Sequence, residues 1–147
     1  DSDIPAPDVN TDGRVMAWMM DTLSMTTGQH LAGVVTGKPL SIGGTRMHSG
    51  ATSSGVVVCV RRVFSELGLS IPGKRVVLQG FGKVGGPLAF LLTSAGMRVI
   101  AVSGYPVDMT VLEAAAPDRV MFLHKPFTAE MLANAVRGMI AGQKESL

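Results

Sequence analysis

The chain has 147 residues, 46% hydrophobic and 16% charged, enough to bury a core and too apolar for a disordered tail. Thirteen Lys plus Arg against eleven Asp plus Glu leave a charge of +2, with no basic run and with one Trp and one Tyr to stack on bases, which argues against nucleic acid as a partner. Cys59 stands alone, His30, His48 and His124 lack zinc-ligand spacing, and no apolar run reaches bilayer length, so the expectation is a cytoplasmic protein with no metal and no membrane contact.

Asn10, Thr11 and Asp12 offer caps for a helix over residues 14–25, with Val15, Met16, Met19, Met20 and Leu23 at helical spacing and Gly28 as its stop. Residues 28–50 are glycine-rich and loop-like, with "GVVTGKPL" as a candidate short strand. A second helix is expected over 51–67, apolar at Val56, Val60, Val63, Phe64 and Leu67 and stopped by Gly68. Strand and helix then alternate. "RVVLQ" (75–79), "RVIAVS" (98–103) and "RVMFL" (119–123) read as buried strands. "KVGGPLAFLLTSAG", "VDMTVLEAAAP" and a final segment after Thr128 read as helices. The final segment carries a stripe of Met131, Leu132, Ala135, Val136, Met139 and Ile140. This order predicts an α/β fold, a three-layer Rossmann-like or flavodoxin-like sandwich on a small parallel sheet with 98–103 in the middle and an N-terminal helical segment. One domain is expected, made of an N-terminal helix and loop (1–50), a glycine-loop unit (51–103) and a helix-strand-helix unit (104–147).

"GFGKVG" places Gly80, Gly82 and Gly85 in G-x-G-x-x-G spacing between a strand and a helix, which is the context a dinucleotide pyrophosphate needs. Phe81, Lys83 and Val84 complete the candidate cofactor loop, and NAD or NADP is the implied ligand. The second strand of such a unit ordinarily ends in Asp or Glu to hold the adenosine ribose. Here it ends in Ser103, Gly104 and Tyr105. Lys74, Arg75 and Lys83 lie near the loop in sequence and are either further candidates for meeting phosphates or the solvated face of the unit.

The stretches "IPAPDVNTDGRVMAWMMDTLSM", "GVVTGKPLSIGG", "GVVVCV" and "GKRVVLQGFGKVG" resemble the glutamate dehydrogenases of the Glu/Leu/Phe/Val dehydrogenase family over about residues 1–103. The resemblance implies that Asp8 falls on the catalytic aspartate, Gly80, Gly82 and Gly85 on the NAD(P) phosphate loop, and Thr52 on a cofactor-contacting threonine. The family's "ATGRG" is "ATSSG" here. The resembling segment starts after the part that supplies the family's substrate and catalytic lysines, and the chain opens on Asp1 rather than Met, as a trimmed fragment would. Asp8 is therefore expected to be vestigial.

Residues 101–147 resemble the C-terminal half of a response-regulator receiver domain, on Ser103, Gly104 and Tyr105 at a strand end and on Lys125, Pro126 and Phe127 after the last strand. By that resemblance Ser103 and Lys125 are vestigial phosphoryl-contact positions and the Lys125–Pro126 peptide is cis. The two resemblances together imply a recombined, engineered chimera with residual dinucleotide binding and no complete catalytic site. The alternatives are a glutamate dehydrogenase fragment active only with a partner, and a receiver-like phosphorelay module. Two unpaired sheet edges point to a homodimer, unless the "GVVTGKPL" segment covers one of them.

Overall fold

In the computed structural model, which describes residues 3–46, 48–104 and 110–141, the first helix begins at one of its three candidate caps. The Asp12 carboxylate accepts the backbone N–H of Arg14 at 2.8 Å and of Val15 at 3.2 Å, which starts helix α1 (Gly13–Thr27). Gly28 ends it in the left-handed region, φ 69°, donating its N–H to the Ser24 carbonyl. Met16 and Met20, one turn apart, are buried with Val35, and Val15, Val34 and Ile42 pack around them. Met19 and Leu23, on the expected stripe, remain about 40% exposed. The "GVVTGKPL" segment is not a strand. It lies between short 3-10 turns at Ala32–Val34 and Leu40–Ile42, because Gly37 at φ 68° and Pro39 break extended pairing, and the Thr36 N–H instead donates to the Pro5 carbonyl at 2.9 Å. These elements form one compact unit, residues 1–49.

The second unit, residues 50–147, holds helix α2 (Ala51–Glu66) and an alternating series: β1 (Arg75–Gln79), α3 (Gly85–Ser94), β2 (Arg98–Ser103), α4 (Thr110–Ala115), β3 (Val120–His124) and α5 (Ala129–Ala141). The sheet is parallel in the order β1-β2-β3, with Arg75 paired to Arg98 and Val99 to Val120. This is the expected α/β architecture. Strand β3 starts one residue later than the sequence suggests and takes in His124.

Strand β2 is apolar on both faces because helices lie on both. Val99 and Ala101 join Val57 of α2, Leu88, Ala89 and Leu92 of α3 and Leu112 of α4. Ile100 and Val102 face the other way, onto Leu123 of β3 and Ala135 and Met139 of α5. Strand β1 is covered on one side only: Val76 and Leu78 pack inward and Val77 is 57% exposed. Thr128 caps α5 through the Met131 N–H at 3.2 Å, and Arg98 reaches from β2 to the carbonyl of Met139 at 2.9 Å, putting a cation at the negative end of that helix. The Lys125–Pro126 peptide is cis, as expected.

The Asp12 cap carries a pH signature. Two backbone N–H donors and the Arg14 guanidinium, 3.0 Å away, favour the ionised carboxylate and hold its pKa below the usual 3.8. A depressed folded-state pKa gives stability that is present above the ordinary carboxylate range and lost as pH falls through the lowered value. Asp12→Asn keeps an oxygen acceptor without the titration. The expected outcome is that helical circular dichroism falls less between about pH 5 and about pH 2 in Asp12→Asn than in the wild type.

Candidate functional site

The site is built at the C-terminal ends of the strands. After Gln79, Gly80 turns at φ 94°, closed to most side chains, and its N–H donates to the Val102 carbonyl at 2.7 Å, extending the β1–β2 pairing by one bond. The chain then doubles back into α3. At Gly85 any Cβ would fall against the carbonyl group of Gly80, so strand end and helix start touch backbone to backbone. Gly82 is the opposite case: a Cβ there meets nothing within 4 Å. The three glycines thus serve turn, open approach and close packing, the division of labour that a pyrophosphate loop requires.

The loop's side chains are sorted accordingly. Phe81 turns onto the sheet, edge-on to Phe122 at 5.9 Å and 87° between rings, leaving the Gly82 side clear. Lys83 and Val84 face solvent. The Gly86 N–H donates to the Gly82 carbonyl and the Leu88 N–H to the Val84 carbonyl, both at 3.0 Å, so helix pairing begins inside the motif. No side chain caps the start of α3. An uncapped helix N-terminus beside an open glycine is a cradle for phosphate oxygens, and the residues present fit the pyrophosphate of a dinucleotide.

Ser53 is the residue that sequence reasoning missed. It is 1% exposed, and its hydroxyl donates to the Val84 carbonyl at 2.8 Å, tying the first turn of α2 to the end of the glycine loop. Its only signal was the departure from "ATGRG", where a hydroxyl replaces a residue without a side chain. Thr52, the preceding residue, is exposed at the same helix start.

Ser103 and Lys125 are brought together. The Lys125 N–H donates to the Ser103 carbonyl at 2.9 Å, and Ser103 pairs in register with His124. Tyr105 lies outside the described residues. Lys74 and Arg75 are a correction: Arg75 begins β1 and Lys74 precedes it, its carbonyl accepting the Arg98 N–H at the far end of the strand from Gly80, so they do not meet phosphates at the loop. Asp8 belongs to the first unit, in an exposed turn where its N–H donates to the Thr11 hydroxyl at 2.7 Å. Among the described residues no group of His, Cys, Asp and Glu could hold a metal. No helix among them is long and apolar enough to cross a membrane.

This geometry is that of a half-Rossmann phosphate-loop unit, and the comparisons agree. The profile of the glutamate/leucine/phenylalanine/valine dehydrogenase family matches residues 43–108. The chain is 44% identical over 101 residues to the cryptic catabolic NAD-specific glutamate dehydrogenase GudB of Bacillus subtilis, covering 69% of this chain and 24% of that protein. The hetero-hexameric glutamate dehydrogenase of Thermus thermophilus superposes on 78% of this chain and 30% of its own, with a TM-score of 0.66 and 41% identity. The enzyme of Peptoniphilus asaccharolyticus covers 90% of this chain and 38% of its own, with a TM-score of 0.57 and 27% identity. The chain spans about a quarter of the length of the curated relatives it matches. The glutamate dehydrogenase resemblance therefore holds for part of the chain, and a dehydrogenase fragment accounts for these matches better than the chimera does.

Two substitutions separate packing from approach. Gly85→Ala drives a methyl group into backbone and is expected to cost about 1–3 kcal/mol or more. Ser53→Ala removes one hydrogen bond but leaves the Val84 carbonyl its Leu88 donor, and is expected to cost about 1 kcal/mol, or roughly 2–4 °C in Tm. Thermal melts of the two variants check this order.

Proposed function

We propose that this chain is the dinucleotide-binding part of a glutamate-dehydrogenase-like enzyme: it holds NAD or NADP on the Gly80–Gly85 loop and does not turn over an amino acid by itself. The observation that carries the reading is the open face at Gly82 beside an uncapped helix start, with Gly80 and Gly85 fixing the turn. Backbone N–H groups at the start of α3 would take the pyrophosphate, and Thr52, by the family resemblance, would contact the cofactor. A bound nicotinamide would supply the hydride acceptor of an amino-acid oxidation in such an enzyme. Asp8, which the resemblance places on the family's catalytic aspartate, is vestigial in this chain by itself.

A chimera with a receiver half is the second reading. Its support is that residues 109–147 fall outside the family match and that Ser103 and Lys125 end side by side. The coverage of 90% of the chain by one dehydrogenase structure weighs for the first. The chain also has an open sheet edge at β1, where the exposed Val77 and the strand's outer backbone groups suit pairing with a second copy.

Three outcomes are expected. NAD+ or NADP+ at about a hundred times its Kd raises Tm by roughly 5–10 °C, and Gly82→Ala abolishes that shift while leaving the ligand-free Tm unchanged. Absence of any shift with either nucleotide would sink the reading. Incubation with glutamate and NAD(P)+ yields no NAD(P)H above background, because substrate positioning carries about 7–11 kcal/mol of such a barrier and Asp8 alone does not supply it. Sedimentation at micromolar concentration is expected to show a dimer; a 15.3 kDa species alone would remove the β1 pairing.

A further inference from the structure

We infer that Ser53 is a positioning residue for the phosphate loop: through the Val84 carbonyl, its hydroxyl fixes the peptide whose N–H, that of Gly85, is left for the pyrophosphate. It rests on the dinucleotide reading above and names the residue that prepares its loop.

The first turn of α3 leaves one donor over. Of its first four residues, Pro87 has no N–H, Gly86 donates to the Gly82 carbonyl and Leu88 to the Val84 carbonyl. Among the described residues the Gly85 N–H has no acceptor. It points out of the helix start, the end at which the Gly82 position stands open.

The direction of that N–H is set on the other side of the peptide. The Val84–Gly85 peptide is trans, so its carbonyl and its N–H point in opposite directions, and whatever holds one aims the other. Two donors hold the carbonyl: the Leu88 N–H at 3.0 Å from within α3, and the Ser53 hydroxyl at 2.8 Å from α2. The first comes with any helix. The second anchors the peptide to a different element, 31 positions away in the chain, and occupies the carbonyl's second lone pair. No side chain caps α3 at Val84, so the Ser53 hydroxyl takes over the fastening that a cap would supply. Donation to a carbonyl also makes the N–H of the same peptide a stronger donor, since linked hydrogen bonds polarise one another.

Ser53 acts from behind the loop. It is 1% exposed and its hydroxyl proton is committed to Val84, so it does not meet the ligand. By the family resemblance it stands where "ATGRG" has its first glycine, so the bond belongs to this chain and not to the motif. Its effect is confined to ligands that reach the loop.

The test is amide NMR titration of the full chain with inorganic pyrophosphate, NADH and NADPH, and with adenosine, which carries no phosphate. In the wild type the Gly85 amide resonance should move with pyrophosphate and with the dinucleotide that binds, and stay in place with adenosine. Ser53→Ala should weaken pyrophosphate and dinucleotide binding about fivefold and leave adenosine as it is in the wild type, with Ser53→Cys, a weaker donor of similar size, between the two. A loss shared equally by adenosine, or pyrophosphate and dinucleotide affinities within about twofold of wild type in a Ser53→Ala protein whose Tm has fallen, would make the bond structural only and overturn the inference. A Gly85 resonance that ignores the bound ligand would overturn it too, and that measurement needs no variant to fold. Failure of pyrophosphate and both dinucleotides to bind the wild type would overturn the dinucleotide reading and the role of Ser53 with it.

Discussion

The contact between Gly85 and the carbonyl of Gly80 is the constraint on which the second unit depends. It lets α3 start directly over the end of β1, and from that position follow the helix direction, its packing on Val99 and Ala101, and the pointing of its N-terminus along the rim of the sheet. The turn is then held from three sides. The Gly80 N–H bonds to β2, the Phe81 ring packs on β3, and the Val84 carbonyl is held by Ser53 of α2. A loop so braced has already lost most of the freedom that ligand binding would otherwise have to remove.

What could be read from the sequence followed how local the determinants are. Strands 75–79 and 98–103 were legible because each is a continuous apolar run between an arginine and a polar residue that precedes glycine, and the Asp12 cap and Gly28 stop because each acts on backbone groups within a few residues of itself. The "GVVTGKPL" segment failed because its apolar residues suggested a strand while Gly37 and Pro39 denied it the backbone geometry. Lys74 and Arg75 looked close to the phosphate loop in sequence, but an extended strand carries its first residue well away from its last. Ser53 was invisible for the reverse reason. Its partner is 31 positions away, and a hydroxyl in a helix reads as surface until the packing is known.

The backbone geometry of the candidate site was legible at the glycines, whose spacing encodes a tight turn and a close approach directly, and less so at the strand ends. There, two family resemblances claimed the same residues, Ser103 above all. Both resemblances describe a parallel strand running into a polar C-terminal end, so the local pattern is the same in each.

The sheet's strand order has a consequence for how the unit assembles. Each strand pairs with the next in the chain, across a single helix, so every pairing closes a short loop and none waits for a distant segment. Parallel sheets are ordinarily slow to form because their partners are far apart in sequence, and this arrangement has the least separation the topology allows. β1, α3 and β2 share the core around Val99 and Ala101, and α5 covers Ile100 and Val102 on the other face. The bonds that brace the glycine turn, to β2 and to α2, therefore join segments that all precede α5 in the chain.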